Sequence, residues 1–272
     1  MPAGAETGGE RRGALVRSLR AEPLRSAILT DVDGTLAPIV ERPEQAAVPA
    51  RARELLAALS ARFGLVGCIS GRRALEAREL VGVENIAYAG NHGFELLLPG
   101  EPEPRLDPAL EGREGDAAGF VAELDRGELA AVGLRLEDKG PIQALHWRGV
   151  EDERAAEARA RQIAAAAGRA RLEPRWGRKV LELRPVGGGG KDAAVGALLA
   201  GLDVGAAVYA GDDRTDLDAA RRLRELREGG LLEEAGFVGV LSPEAPPELA
   251  EEADVTVEGP GGWIDLLTEL AE

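Results

Sequence analysis

Short apolar runs alternate with helically spaced apolar positions over both ends of the chain. The runs 27–30, 64–69 and 206–210 have the length and continuity of strands buried on both faces of a sheet. Residues 49–63 and 191–199 carry apolar side chains at helical spacing. Because strand and helix patterns alternate, the sequence predicts an α/β domain with a parallel sheet.

A different pattern interrupts this alternation in the middle of the chain. Residues 131–137 and 142–147 flank a polar turn and predict a hairpin, and an Ala-rich helix follows over about 152–168. Four glycines at 187–190 precede the point where the α/β pattern resumes. We therefore expect an inserted α+β domain over 106–187.

The remaining segments are assigned from their position and composition. Residues 21–105 and 188–272 are expected to form the α/β core on either side of the insertion. The first dozen residues are rich in Gly, Glu and Arg, and residues 1–20 are expected to be a loose N-terminal arm.

Charge and composition restrict the class of partner. The net charge of −15 argues against nucleic acid, which requires a basic face. No run reaches the roughly 18 apolar residues of a membrane helix, and the first dozen residues lack a signal-peptide core. With a single cysteine, Cys68, no internal disulfide is possible. The expectation is a cytoplasmic protein without nucleic-acid or membrane partners, and a monomer is compatible with the sequence.

Two acidic clusters each follow a predicted strand. Asp31 and Asp33 come directly after the first strand, and Asp212, Asp213 and Asp216 follow a later one. Ligands bind beyond the carboxyl ends of strands in open α/β sheets, so these acids would converge there and repel one another. A hard divalent cation, most plausibly Mg²⁺, resolves that repulsion. The alternative is a capped turn at each position, with Asp213 as a helix cap.

Two further positions have the chemistry of a phosphate site. Ser70 and Gly71 follow a strand and offer a hydroxyl and backbone N–H groups. Lys191 begins a helix after the four glycines and could pair with both a phosphate and a carboxylate. Taken alone, each is more often an ordinary turn or a surface lysine than part of a binding site.

Taken in chain order, the acidic cluster at Asp31, the Ser70 turn, Lys191 and the acidic cluster at Asp212 resemble the four motifs of the haloacid dehalogenase (HAD) superfamily. The resemblance implies a HAD-like Rossmannoid core with an inserted cap domain that selects the substrate. It also implies a phosphatase in which Asp31 is the nucleophile and forms an aspartyl-phosphate, and Asp33 is the general acid and base. Ser70, Gly71 and Lys191 would bind the phosphate. Mg²⁺ would be held by Asp31, the Asp33 carbonyl and Asp212, with Asp213 and Asp216 supporting the metal site.

Several longer blocks are similar to the trehalose-6-phosphate phosphatase family within this superfamily. The blocks lie at 31–39, 89–95, 137–141, 144–148, 179–185 and 211–216. The resemblance implies that the substrate is a phosphorylated disaccharide. It further implies a sugar-binding set consisting of Glu137, Lys139, Arg148, Arg178, Lys179 and Glu182. A solvated strand face with surface ion pairs is the alternative for these residues. His92 could contact the substrate or hydrogen-bond its own loop.

Other functions remain open at this level. A related HAD phosphatase acting on sucrose phosphate, glucosylglycerol phosphate or mannosylphosphoglycerate would use the same chemistry. A non-catalytic phosphosugar sensor is a different class, but such a protein would not need Asp31, Asp33 and Asp212 together.

Overall fold

The computed structural model describes residues 8–40, 45–177 and 179–272, which form two compact units. The first unit is Met1–Leu106 with Gly189–Glu272, and the second is Asp107–Gly188. The second unit spans the segment where the sequence predicts an α+β insertion.

Strands and helices are numbered along the whole chain. The strands are β1 (Ser26–Thr30), β2 (Leu65–Ile69), β3 (Ala87–Gly90), β4 (Glu95–Leu97), β5 (Arg105–Leu106), β6 (Arg135–Asp138), β7 (Gln143–His146), β8 (Leu172–Gly177), β9 (Val180–Pro185), β10 (Ala206–Gly211), β11 (Glu234–Leu241) and β12 (Val255–Glu258). The helices are α1 (Gly8–Ala21), α2 (Ala50–Ser60), α3 (Ala74–Val81), α4 (Asp116–Ala122), α5 (Arg126–Ala131), α6 (Glu153–Arg169), α7 (Lys191–Leu199), α8 (Asp216–Glu228), α9 (Pro247–Glu252) and α10 (Gly259–Ala271).

The sheet of the first unit has eight strands in the order β12-β11-β10-β1-β2-β3-β4-β5. Pairing is parallel from β12 to β3, and the two short edge strands β4 and β5 are antiparallel. Because β1 lies between β10 and β2, the residues that follow these three strands meet at one edge of the sheet. That edge receives Asp31, Ser70 and Asp212.

Apolar side chains cover both faces of this sheet. On one face, Leu56 and Leu59 of α2 and Trp263 of α10 are fully buried in one core cluster. On the other, Leu198 of α7 and Leu223 of α8 belong to a second cluster. Helices on both faces explain why the central strands are continuous apolar runs.

The expectation of a loose arm over residues 1–20 is wrong for the part that the structure describes. Residues Gly8–Ala21 form helix α1, with Val16 and Leu19 buried in the core cluster that contains Trp263. These two buried residues are three positions apart and share one face of an otherwise mostly polar helix, so tertiary packing rather than overall hydrophobicity stabilises it.

The second unit is a four-stranded antiparallel sheet with helices on one face. Its strand order is β6-β7-β9-β8, and β6 and β7 form the predicted hairpin. Leu145, Leu181 and Ile163 lie in one buried cluster with the helices α4, α5 and α6. Alternating residues of the strands lie on the opposite, polar face. Among the described residues of both units, no helix has the length and apolar character needed to cross a membrane.

Candidate active site

Asp31 is the first residue after β1 and is held from behind by buried groups. Its backbone N–H donates to the Ala210 carbonyl at 2.8 Å, which ties it to β10. Its own carbonyl accepts from Thr30 Oγ1 at 2.8 Å, and that hydroxyl accepts from Trp263 Nε1 at 3.0 Å. The backbone at Asp31 is therefore fixed by three elements of the fold.

Carboxylates from both acidic clusters converge at this edge. Asp31, Asp212 and Asp216 are buried, and each places one carboxylate oxygen within 4.8 Å of the others. Gly34 has a φ of +95°, and a Cβ there would lie 2.1 Å from Asp212 Oδ2, so the approach requires glycine. Thr35 Oγ1 donates to Asp212 Oδ1 at 3.1 Å and joins the two loops directly.

Lys191, the first residue of α7, lies among these acids. Its Nζ donates to Asp31 Oδ1 at 2.8 Å and to Asp216 Oδ1 at 2.5 Å, and the lysine is only 3% exposed. Asp216 Oδ1 also accepts from the Tyr209 hydroxyl, while its Oδ2 accepts from the N–H groups of Asp212 and Asp213 at 3.0 and 2.9 Å. Asp216 is thus fully engaged by protein donors and anchors Lys191.

Asp213 lies in the turn that precedes α8, whose N-cap residue is Thr215. Its Oδ1 accepts from the N–H and hydroxyl of Thr215, both at 2.7 Å, and from the N–H of Asp216 at 3.2 Å. Burial opposes ionisation, but Lys191 and these hydrogen bonds outweigh it and lower the pKa of Asp213 to about 2. Its side chain is therefore held within the turn before α8, and any support for a metal would be indirect.

The charge balance at the site fits a divalent cation. Burial raises the pKa of Asp31 well above its usual range, against the opposing effect of Lys191. Burial, followed by repulsion from Asp216 and Asp213, raises the pKa of Asp212 to about 7. One ammonium group faces three buried carboxylates, and oxygen ligands of this kind suit Mg²⁺. Since Asp216 is occupied by four donors, Asp31 and Asp212 are the side chains that remain to hold the ion.

The Ser70 turn lies beside His92 and the start of α7. Ser70 is buried, and its N–H donates to the Ala89 carbonyl at 2.9 Å. The His92 N–H donates to the Ser70 carbonyl at 2.9 Å, and the His92 carbonyl accepts from the Gly190 N–H at 2.5 Å. A Cβ on Gly71 would lie 2.7 Å from His92 Nε2. The His92 backbone therefore links the serine turn to the residue before Lys191, and its imidazole lies against Gly71.

Asp33 is paired with Arg72, which is not among the site residues predicted from the sequence. Arg72 Nε and Nη2 donate to the two carboxylate oxygens of Asp33, each at 2.7 Å. Tyr209 is also not among the predicted site residues, and its hydroxyl donates a hydrogen bond to Asp216. Nothing in the local sequence distinguishes them, because an arginine in a turn and a tyrosine in a strand are both common.

In the second unit, part of the predicted sugar-binding set lies on the polar face of the sheet. The strand register places Glu137, Ala144, Glu182 and Arg175 opposite one another, so they share a face. We call these four residues, of which three are charged and one is alanine, the polar row.

Ion pairs restrain the two acids of the polar row. Glu182 accepts from Lys139 Nζ at 3.1 Å and from Arg184 Nη2 at 2.5 Å. Glu137 lies 2.7 Å from His146 Nε2, and this hydrogen bond lowers the pKa of Glu137. Lys139 therefore lies in the same group as both predicted glutamates, and His146 contacts one of them.

The other predicted sugar-binding residues are at the ends of the strands. Lys179 is in the turn between β8 and β9 with a φ of +63°, and its Nζ donates to Glu153 at the start of α6. Arg148 is exposed in the segment between β7 and α6, and its charge also lowers the pKa of Glu153 after the larger effect of Lys179. Arg178 lies outside the described residues.

Comparisons with known proteins agree with this architecture. The trehalose-phosphatase family model matches residues 29–242. A probable trehalose-phosphate phosphatase 9 of Oryza sativa subsp. japonica is 30% identical over 275 residues, which cover 92% of this chain and 71% of the relative. A trehalose-phosphate phosphatase of Mycolicibacterium paratuberculosis is 35% identical over 206 residues, covering 73% of this chain. The chain spans about half, 51%, of that relative's length.

Structural similarity extends over nearly all of the chain. The C-terminal domain of the C. albicans trehalose-6-phosphate phosphatase superposes with a TM-score of 0.72 at 20% identity, covering 96% of each chain. At this identity the likeness establishes a shared fold. The predicted fold class, a HAD-like α/β core with an α+β insertion, is confirmed.

Proposed function

The chain belongs to the trehalose-phosphatase family, and we propose that it hydrolyses trehalose 6-phosphate to trehalose and phosphate. Membership makes the chain a phosphatase, that is, a phosphoric monoester hydrolase. The observation that carries the proposal is the buried group in which Lys191 bridges Asp31 and Asp216 beside Asp212.

Asp31 is the proposed nucleophile. Its carboxylate attacks phosphorus, and the bond between phosphorus and the sugar oxygen breaks to leave an aspartyl-phosphate. Lys191 lies within hydrogen-bond distance of Asp31 and would neutralise the charge of the incoming phosphate. The fixed backbone at Asp31 would keep the nucleophile aligned during the attack.

Asp33 is the proposed acid and base. It gives a proton to the departing sugar oxygen and afterwards takes one from the water that hydrolyses the aspartyl-phosphate. Proton transfers of this kind contribute roughly 10²–10⁴-fold to rate. Ser70 and Gly71 would bind the phosphate oxygens through the hydroxyl and the backbone N–H groups.

Asp31, the Asp33 carbonyl and Asp212 would hold Mg²⁺. When bound, the ion would neutralise the nucleophile and the phosphate as they approach and stabilise the charge of the transition state. Asp216 and Asp213 would support this arrangement by fixing Lys191 and the start of α8.

The second unit is proposed to act as the cap that selects the sugar. A disaccharide is rich in hydroxyls and requires placed donors and acceptors rather than an apolar pocket. The polar row with Lys139, and the strand-end residues Arg148 and Lys179, offer both. Arg178 is included in the proposal from the sequence alone.

Phosphate release from a panel of sugar phosphates, with Mg²⁺ or with a chelator, tests the proposal. We expect turnover of trehalose 6-phosphate to exceed that of sucrose phosphate, glucosylglycerol phosphate and mannosylphosphoglycerate, and to require the metal. Preference for another ester would replace the substrate and leave the chemistry in place. Absence of turnover with every ester would favour the sensor.

A further inference from the structure

Two nitrogens of the Arg72 guanidinium group donate hydrogen bonds to Asp33, the proposed acid and base. The two hydrogen bonds to Asp33 are each 2.7 Å and form the parallel fork typical of strong arginine–carboxylate pairs. The Arg72 side chain is 21% exposed and that of Asp33 is 40% exposed. A half-exposed carboxylate would otherwise sample several rotamers, so the fork restricts Asp33 to one position.

The same residue is also tied to the phosphate-binding turn. The backbone N–H of Arg72 donates to Ser70 Oγ at 3.1 Å. Arg72 therefore connects the serine turn after β2 with the acidic turn after β1. A displacement of either turn would be transmitted to the other through this one residue.

The geometry of the pair matches one half of the proposed reaction. A fork of two N–H groups complements the ionised carboxylate, which accepts at both oxygens. Asp33 has this form after it has protonated the departing sugar oxygen. It must then accept a proton from water.

We propose that Arg72 is a positioning residue for the second half of the reaction, holding the Asp33 carboxylate where it accepts the proton of the attacking water. The proposal rests on the phosphatase mechanism above. In this step the water oxygen bonds to phosphorus, and the bond from phosphorus to the Asp31 oxygen breaks. Its electron pair returns to Asp31, the water proton moves to Asp33, and inorganic phosphate leaves.

Burst kinetics with p-nitrophenyl phosphate and Mg²⁺ test the proposal, because this substrate carries no sugar. For Arg72→Ala we expect kcat to fall roughly 10–100-fold, within the range of acid–base contributions. We expect kcat/KM, which reports formation of the aspartyl-phosphate, to fall less than about 3-fold. The first turnover should then release a burst of p-nitrophenol approaching one equivalent of enzyme, followed by slow phosphate release.

Two further variants control for charge and folding. Arg72→Lys keeps the charge but loses the fork, and we expect intermediate values in the same direction. Arg73→Ala removes the neighbouring guanidinium, which lies 3.7 Å from Glu95, and we expect neither kinetic constant to change.

Two outcomes would overturn the proposal. An equal fall of kcat and kcat/KM without a burst would place Arg72 in substrate binding or in the first half of the reaction. Unchanged or faster turnover of both Arg72 variants would mean that the pair restrains Asp33 unproductively. Failure of the trehalose assignment in the sugar panel leaves this readout intact.

Discussion

The charged side chains at the candidate active site of the first unit are buried more deeply than several ion pairs of the second unit. In the first unit, Lys191 and Asp216 are almost completely buried and hydrogen-bonded by neighbouring elements. In the second unit, Glu137, His146 and Lys179 remain a third or more exposed, within ion pairs that solvent can reach. A buried charged group has a fixed geometry, and loss of its partner strongly destabilises the fold. An exposed pair can open to admit a ligand. The difference is compatible with the proposed chemistry in the first unit and the proposed sugar recognition in the second.

The largest expected effect comes from removing a buried lysine and comparing it with an exposed one. Lys191→Met leaves Asp31 and Asp216 without their cation, so we expect a loss of about 3–5 kcal/mol in the free energy of unfolding in a chelator. Lys179→Met breaks an exposed pair and should cost less than about 1 kcal/mol. Denaturant unfolding measures both. Equal losses for the two variants would remove the proposed contrast.

A change in the second unit should alter recognition without altering chemistry. Glu182→Gln removes the charge that Lys139 and Arg184 share, while keeping the shape. Hydrogen bonds to charged groups contribute about 1.5–3 kcal/mol, so we expect KM for trehalose 6-phosphate to rise roughly 10–100-fold. Turnover of p-nitrophenyl phosphate should change little.

The matched control for Glu182 is Glu157→Gln. Glu157 is a partly exposed helix residue paired with Arg161 one turn along α6. We expect its loss to leave both substrates unaffected. A comparable loss with the aryl substrate in Glu182→Gln would assign Glu182 to stability or catalysis instead of sugar binding.

The smallest effect concerns pH. The pKa of Asp212, about 7 in the folded protein, lies above its ordinary value of 3.8. Between these values the native state binds more protons than the unfolded state, so this group makes the metal-free protein less stable as pH rises through the window. Because Mg²⁺ requires the carboxylate, its stabilising effect should be larger at about pH 8 than at about pH 6, by roughly 1 kcal/mol.

Thermal unfolding with Mg²⁺ or chelator at the two pH values measures this difference. Asp212→Asn should remove most of the Mg²⁺ effect and its pH dependence. An equal Mg²⁺ shift at both pH values in the unaltered protein would show that Asp212 does not titrate with the metal.

Strong periodic segments were predictable from the sequence because their local and tertiary preferences agree. The pattern predicts helix 191–199, and the structure has Lys191–Leu199. The hairpin of β6 and β7 follows from its turn. By contrast, β4 and β5 have three and two residues, which is too short for any period to show, and the segment around Arg105 has the composition of a linker.

Helix boundaries in the second unit depended on interactions that the pattern does not reveal. A single polar helix over about 108–130 is expected from the sequence, but the structure has α4 and α5 with a break between them. Asp125 accepts from the N–H groups of Gly127 and Glu128 and begins α5 anew. Because Asp125 lies within a polar stretch, its residue type does not distinguish it as the N-cap of α5.

The site residues that were predictable from the sequence are those whose residue type allows few chemical roles. Asp31, Asp212 and Lys191 follow strand ends or begin a helix, and parallel topology brings them together. Arg72 and Tyr209 were not predictable, since their roles depend on distances between distant turns. The pairing of Arg72 with Asp33 and of Tyr209 with Asp216 becomes apparent only in three dimensions.

Trapping the covalent intermediate is the most direct measurement of the central claim, that Asp31 is a nucleophile held among converged carboxylates. The enzyme is quenched in acid during turnover of trehalose 6-phosphate with Mg²⁺, digested, and its peptides are analysed by mass. We expect one phosphoryl group on the peptide containing Asp31, and none in Asp31→Asn, which should fold and lose turnover. A phosphoryl group on another residue, or undiminished phosphate release from Asp31→Asn, would contradict the account.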